Sequence, residues 1–522
     1  MSKINRALIS VYDTTGLSEL VSFLGKKGVE IIASSAMQKM LEKNGVKSVE
    51  SFTAPGIPDL FGGELKAVQP AILASVMANP EDQQEMDQTA AIGGKSVDLL
   101  IVNHTPLEQA EPSAKSKSPK SDITLDIGCT TLIRAAARRN ESIVILSNPN
   151  QYQEFKDSFS QNDGKLPNAL KQKFSLAAFE LAAEMDIKLF DHFQKKNFGG
   201  DFLPDTFFQR MKRISNLKYG ENPHQKAAFF TTGETNGVSL NDLEHLQGPE
   251  MSYNNLNDIN TAIEIALEFD REVAVVVKHG NPIGVALDKE VYKAYLAARD
   301  VDKVSAFGSV VAFNCQVDKK TAKEIESAYT EVIVAPKFTD GALELLKASK
   351  KTANMRIFRM NSKKLVKQNG TLDMRSVLGG VLVQEKDDPL VPAGGNIKIV
   401  SKRKPTRRQL ADLVMAWKIC KYVRSNAIVI VKDGKTLGIG AGQMSRLDSM
   451  KIAIEKSGEE VVGAVMASDA FFPFRNVIDE AAQSGISAII QPGGARRDDE
   501  IILACDEHNI ALCLSGMRHF KH

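Results

Sequence analysis

Cysteine is scarce: five in 522 residues (Cys129, Cys315, Cys420, Cys505 and Cys513), far apart and without a C-x-x-C pair. Neither a disulfide framework nor a thiolate zinc site is signalled. No excess of one charge exists, since 66 Lys+Arg stand against 64 Asp+Glu, a net of +2. A chain-wide positive field for gripping a polyphosphate backbone is therefore missing, and nucleic acid is not an expected partner. No apolar run is long enough to span a bilayer, so no membrane partner is expected. Met1 to Arg6 lead straight into the strand-like Ala7–Val11 without the regions of a signal peptide, which makes the cytoplasm the expected address. What is present is ordinary globular composition, 43% apolar and 25% charged. At roughly 150 residues per domain, the length argues for about three or four compact units.

Residues 7 to 103 alternate short apolar runs (Ala7–Val11, Glu30–Ala33, Val97–Asn103) with helix-period segments (Gly16–Lys27, Met37–Asn44). That rhythm predicts a small parallel α/β domain with ligands at the carboxyl ends of its strands. Pro106 to Thr124 is polar and reads as a loop; Leu170–Phe193 reads as a long amphipathic helix; Phe198–Arg213 reads as a connector. The main boundary falls there, giving domains 1–197 and 198–522.

The second part carries a degenerate repeat. Val275-Val-Val-Lys-His279-Gly-Asn-Pro-Ile-Gly-Val-Ala286 aligns without gaps on Val429-Ile-Val-Lys-Asp433-Gly-Lys-Thr-Leu-Gly-Ile-Gly440, with five of twelve positions identical. Each copy reads as strand, glycine-bearing polar tip and second strand. Each is followed by a small-residue-plus-Phe element, Ser305–Gly308 and Ser468–Phe472. The expectation is two similar α/β subdomains, about 214–380 and 400–522, facing each other, with one tip specialised where His279 stands against Asp433.

Chemistry gathers at a few strings. A second positive charge beside Lys278 is disfavoured, so His279 is expected to be neutral and available as a base. Lys218-Tyr219-Gly-Glu-Asn-Pro-His224-Gln225 concentrates donors on a rigid turn. Gly438-Ile-Gly-Ala-Gly-Gln443-Met-Ser-Arg446 permits close backbone approach and ends in residues suited to a phosphate or carboxylate. Phe471-Phe-Pro-Phe-Arg475 fits either a core or a slot for a flat ring. The end, Arg518-His-Phe-Lys-His522, follows an apolar strand (Ile510–Leu514) and is expected to dock on the sheet.

At these strings the chain resembles the bifunctional family that combines AICAR transformylase with IMP cyclohydrolase. The likeness rests on Tyr219-Gly-Glu-Asn-Pro-His-Gln225, Ser252-Tyr-Asn-Asn255, Lys278-His-x-Asn-Pro-x-Gly284, Ser305–Gly308, Ser425-Asn-Ala427, Gly438–Arg446, Ser468–Phe474 and the Arg518–His522 end. The resemblance implies a methylglyoxal-synthase-like N-terminal α/β domain followed by a transformylase of two cytidine-deaminase-like subdomains. It implies a homodimer with sites at its interface, AICAR as substrate and 10-formyltetrahydrofolate as cosubstrate, and no catalytic metal. The zinc chemistry of deaminases is not expected without their Cys-x-x-Cys ligands. By the same likeness His279 is the base, Lys278 its partner at the oxyanion, and Asn426 the residue holding the reacting formyl oxygen or amine. Substrate contacts fall on Lys218, Tyr219, His224, Phe307, Gly308, Glu331, Gln443, Arg446, Phe471, Asn476, Arg518 and His522. Two positions depart from the pattern: Lys218 replaces an arginine, losing a bidentate fork, and Asn476 replaces an acid.

The N-terminal part departs further. The family's Ser-Asp-Lys-Thr-Gly is Tyr12-Asp-Thr-Thr-Gly16, its Ser-Gly-Gly-Thr phosphate loop is Ser34-Ser-Ala-Met37, and Glu64 occupies an arginine position. Asn-Leu-Tyr-Pro-Phe is Asn103-His-Thr-Pro-Leu107. Remnants of the cyclohydrolase site are Ser10, Ser34, Lys66, Asp126 and Arg138. An acid for a base and added Cβ atoms oppose a nucleotide phosphate. The expectation is a transformylase whose cyclohydrolase site is inactive; the alternatives are the fully bifunctional enzyme and a non-catalytic nucleotide-binding protein.

Overall fold

A computed structural model of the chain describes residues 3–33, 35–43, 49–51, 68–104, 127–139, 141–198, 203–233, 236–367, 372–393 and 395–522. The chain divides into two compact units, Met1–Phe208 and Gln209–His522.

The first unit is built on a parallel sheet of β1 (Arg6–Ser10), β2 (Glu30–Ala33), β3 (Val49–Ser51), β4 (Leu99–Val102) and β5 (Val144–Leu146). Their order is β3-β2-β1-β4-β5, with every pairing parallel. β4 and β5 are buried at every position, as helix cover on both faces of a parallel sheet requires. The expected long helix spans Asn168–Phe198, somewhat beyond its apolar stripe. The polar Pro106–Thr124 stretch lies outside the described residues.

The second unit holds a twelve-stranded mixed sheet. Its strands in chain order are β6 (Glu244–Gln247), β7 (Val273–Lys278), β8 (Asn281–Leu287), β9 (Ser309–Phe313), β10 (Thr330–Ala335), β11 (Arg356–Arg359), β12 (Lys398–Ile399), β13 (Ile428–Lys432), β14 (Lys435–Gly440), β15 (Val465–Ser468), β16 (Ala488–Gln491) and β17 (Ala511–Leu514). Across the sheet the order is β12-β17-β16-β15-β13-β14-β8-β7-β9-β10-β11-β6. The repeat is thus visible as two halves of one sheet, β8-β7-β9 mirrored by β14-β13-β15. The halves do not face each other as expected from the sequence; they join edge to edge. At the seam β8 runs antiparallel to β14 with Ala286 opposite Lys435. The Thr436 hydroxyl accepts from Val285 N (2.9 Å) and donates to Val285 O (3.2 Å), which satisfies backbone groups that an exposed edge would leave open.

The identities in the repeat have structural causes. Both tips turn through a left-handed residue followed by glycine: His279 (φ 53°) and Gly280 (φ 71°), Asp433 (φ 57°) and Gly434 (φ 76°). Gly284 and Gly438 let a helix backbone come against the strand, since a Cβ there would lie 2.0 Å from Ala298 O and 1.9 Å from Ala453 O. Both lysines pin the loop before the next strand. Lys278 Nζ donates to Ser305 O (3.1 Å) and Phe307 O (2.6 Å), and Lys432 Nζ donates to Glu460 O (3.2 Å) and Val462 O (2.8 Å). Ser305–Gly308 is therefore the counterpart of residues 460–463, ahead of β9 and β15. Ser468–Phe472 follows β15 instead, so the two Phe elements matched in the sequence are not equivalent.

Candidate active site

Because the two halves meet through antiparallel edge strands, one rim of the sheet carries opposite strand ends from each. From the first half come the carboxyl end of β7 and the amino ends of β8, β9, β10 and β11. From the second half come the amino end of β13 and the carboxyl ends of β14, β15, β16 and β17. Lys278, His279, Gly308 and Glu331 stand on this rim, and so do Asn426, Gln443, Asp469 and the C-terminal tail. Asp433, the counterpart of His279, stands on the opposite rim, where its carboxylate pairs with Arg408 at 2.7 Å.

His279 is exposed at its tip, and its backbone N–H and that of Gly280 donate to the buried Asp258 carboxylate at 3.2 and 2.6 Å. Burial raises the Asp258 carboxyl above the usual range, although the two N–H groups work against that. Phe307 stacks on Tyr329 with centroids 4.6 Å apart, and Gly308, at φ 72°, donates to Tyr329 O (2.7 Å). Glu331 accepts from Asn255 Nδ2 (3.0 Å) and Arg356 Nη1 (3.2 Å). The Tyr253–Ala266 helix organises this cluster from its first turns. A capping box between Ser252 and Asn255 fixes its start, and Asn254 Nδ2 donates to Glu221 O (3.3 Å), attaching the Lys218–Gln225 turn. That turn is closed on itself by Gly220 N to Gln225 O (2.8 Å) and Asn222 N to Gln225 Oε1 (2.8 Å). Lys218 and His224 are exposed on it, and Lys218 Nζ lies 5.7 Å from the Tyr219 ring centroid.

In the second half, Asn426 donates from Nδ2 to Gln443 O (2.8 Å), which ties the loop before β13 to the glycine-rich loop after β14. Arg446 Nη2 donates to Asp469 Oδ1 (3.2 Å), while its Nε is buried without a hydrogen-bond partner. Asp469, fully buried, also accepts from Ser425 Oγ. Met444, Phe471, Phe474 and Asn476 are exposed. The two halves touch at this rim, where Arg424 N donates to Asn281 Oδ1 (3.0 Å). Among the described residues, no hydrogen bond joins His279 to Asn426.

The tail docks as expected. His519 is fully buried, with Nδ1 2.7 Å from Asp387 Oδ2 and its ring 4.8 Å from Trp417. His519 N donates to Asp469 O (3.0 Å), and Ser425 N donates to Lys521 O (2.8 Å), next to Asn426. Burial holds the Lys521 ammonium below the usual lysine range. Arg518 lies 4.6 Å from the Phe520 ring and His522 5.6 Å from it. Replacing His519 by alanine opens a cavity against Trp417 and unpairs Asp387. The expected cost is about 2–4 kcal/mol, read as a lowered urea midpoint; an unchanged midpoint would show that the tail is not held this way.

Asp258 and Arg356 hold this rim without having been singled out in the sequence, and Asn255 and Asp469 stood in quoted strings without a role assigned to them. One signal existed: Asp258 and Asp412 each stand twenty residues before the repeat lysine. In the first unit, Ser10 ends β1 at the carboxyl edge of the sheet. The turn after it is clamped by Asn103, whose Oδ1 accepts from Tyr12 N (2.7 Å) and Asp13 N (2.9 Å). Arg138 sits at the opposite, amino edge and pairs with Glu85 at 2.5 Å, while Arg139 beside it is buried against Val76 O and Val97 O. Arg138 and Ser10 are thus not brought together. Ser34, Lys66 and Asp126, with Glu64 and Thr105, lie outside the described residues.

A family model described as AICARFT/IMPCHase bienzyme matches residues 136–456. The chain belongs to that family. The AICARFT/IMPCHase likeness extends end to end in relatives named bifunctional purine biosynthesis protein PurH. That of Acetivibrio thermocellus is 39% identical over 521 residues, 99% of this chain and 100% of the relative. That of Magnetococcus marinus is 37% identical over 536 residues, 100% of both chains. Among solved structures, ForH is 23% identical over 36% of this chain and 97% of its own, with a TM-score of 0.31.

Proposed function

We propose that the second unit transfers the formyl group of 10-formyltetrahydrofolate to the 5-amino group of AICAR. The observation that carries this reading is the single rim on which Lys278, His279, Gly308 and Glu331 stand with Asn426, Gln443 and the tail, in a chain of this family. The AICAR amine is conjugated and weakly nucleophilic, so a proton must leave as its nitrogen bonds the formyl carbon. The exposed imidazole of His279 takes that proton. Lys278, fixed by the Ser305 and Phe307 carbonyls, is the partner that stabilises the developing oxyanion. Asn426 spends one of its two amide N–H groups on Gln443 O, leaving the other for the formyl oxygen or its side-chain oxygen for the amine. Lys218, Arg446 and Arg518 supply cations for the nucleotide phosphate. Phe471 and Phe474 supply an apolar surface for a flat pterin, with Asn476 two residues further on.

The active species in this reading is a homodimer; sedimentation of a fully active monomer would contradict it. Incubating the purified chain with AICAR and 10-formyltetrahydrofolate should release tetrahydrofolate and formyl-AICAR. Failure to do so would favour a nucleotide-binding protein without catalysis.

For the first unit, relatives that span the whole chain under a bifunctional name favour ring closure of formyl-AICAR to IMP, over the loss that Glu64 and the Ser34–Met37 string suggest. IMP is then expected to form from formyl-AICAR well above the uncatalysed rate. If none forms, the first unit is a scaffold.

A further inference from the structure

We propose that Asp258 is the positioning residue for His279, an inference that rests on reading His279 as the base. His279 is held in the left-handed region at φ 53°, a conformation that a residue with a Cβ keeps only when its surroundings fix it. What fixes it is one buried carboxylate that uses both oxygens at once. Oδ2 accepts from His279 N at 3.2 Å and Oδ1 from Gly280 N at 2.6 Å. An amide cannot do the same, because one of its two ends is a donor and would face an N–H. Asp258 is itself buried, set one turn into a helix whose start is fixed by the Ser252–Asn255 capping box. The carboxylate therefore fixes the direction in which the imidazole leaves the tip.

The duplication supplies an internal control. Asp412 holds the other tip in the same way, accepting from Asp433 N and Gly434 N at 2.9 Å each. That tip carries no imidazole and lies on the opposite rim. The same device thus has a consequence for turnover in one copy only.

The experiment compares Asp258→Asn and Asp412→Asn in the full-length protein, each with and without His279→Ala. Both asparagine variants are expected to lower the melting temperature to a similar degree. Only Asp258→Asn should lower kcat, by about 10-fold or more, the scale for a misplaced catalytic group, with KM for AICAR changed less than about threefold. In the His279→Ala background Asp258→Asn should produce no further loss, since it acts through the missing ring. Wild-type kcat in Asp258→Asn, an equal loss in Asp412→Asn, or a full additional loss on top of His279→Ala would each overturn the proposal. Retained turnover in His279→Ala alone would instead remove the base reading, and the proposal with it. Should Asp258→Asn fail to accumulate, Asp258→Glu keeps both acceptors but shifts them by one methylene, and the same ordering is expected.

Discussion

Alanine at position 279 is expected to slow formyl transfer by about 10²-fold or more, the usual scale for losing a positioned general base. The side chain is exposed at a tip whose backbone is held by Asp258, so truncation removes the imidazole without opening a core cavity. Folding should survive, and the loss should fall on kcat more than on KM for AICAR. Lys278 cannot substitute as the base, because its ammonium is committed to Ser305 O and Phe307 O. The comparison with Lys432, which makes the same two carbonyl contacts on a tip without histidine, separates the two residues' parts. The lysine shapes the loop in both copies, and only the copy with the histidine has a base for the lysine to assist. Steady-state rates at saturating AICAR and formyl folate decide the matter, and turnover near that of the wild type would refute the assignment.

A large stability loss is expected for Gly438→Ala. A Cβ there would lie 1.9 Å from Ala453 O and 2.7 Å from Ser457 Oγ, inside any possible contact distance. The obstacle is helix backbone, so relief requires the Arg446–Ser457 helix to move off β14, opening the packing around Met450 and Ala453. Overpacking of this kind costs about 3 kcal/mol or more. Gly284→Ala meets Ala298 O in the same way and is expected to cost a similar amount. Urea denaturation of each variant measures the effect. A midpoint equal to the wild type in both would mean that the helices do not pack as closely as described.

Much of this was legible in the sequence because local rules decide it. Apolar runs bounded by glycine-bearing tips became β7, β8, β13 and β14; of the glycines shared by the repeat, Gly280 and Gly434 proved to turn the tips, and Gly284 and Gly438 to be where helix backbone approaches a strand. The strings quoted from the second part also placed the chain in its family before any geometry was known. The tail docked as its preceding strand suggested.

Other features depend on which strand edges pair, and period-two alternation carries no information about that. The seam between β8 and β14 joins residues 151 apart in the chain, with the Thr436 hydroxyl bonded to both backbone groups of Val285. This antiparallel seam gives the halves opposite polarity on each rim. Hence His279 shares a rim with Asn426 and the tail while Asp433 faces away, and the Phe element after β15 cannot be the partner of the one before β9. In the first unit the same kind of fact separates Arg138 from Ser10, since a helix that leaves the carboxyl edge of a parallel sheet must return its far end to the amino edge. The sequence by itself determined the strands, the tips, the close-packed glycines and the family. Tertiary structure decided which of those tips share a rim, because strand pairing is settled by hydrogen bonds between segments too distant in the chain to specify one another locally.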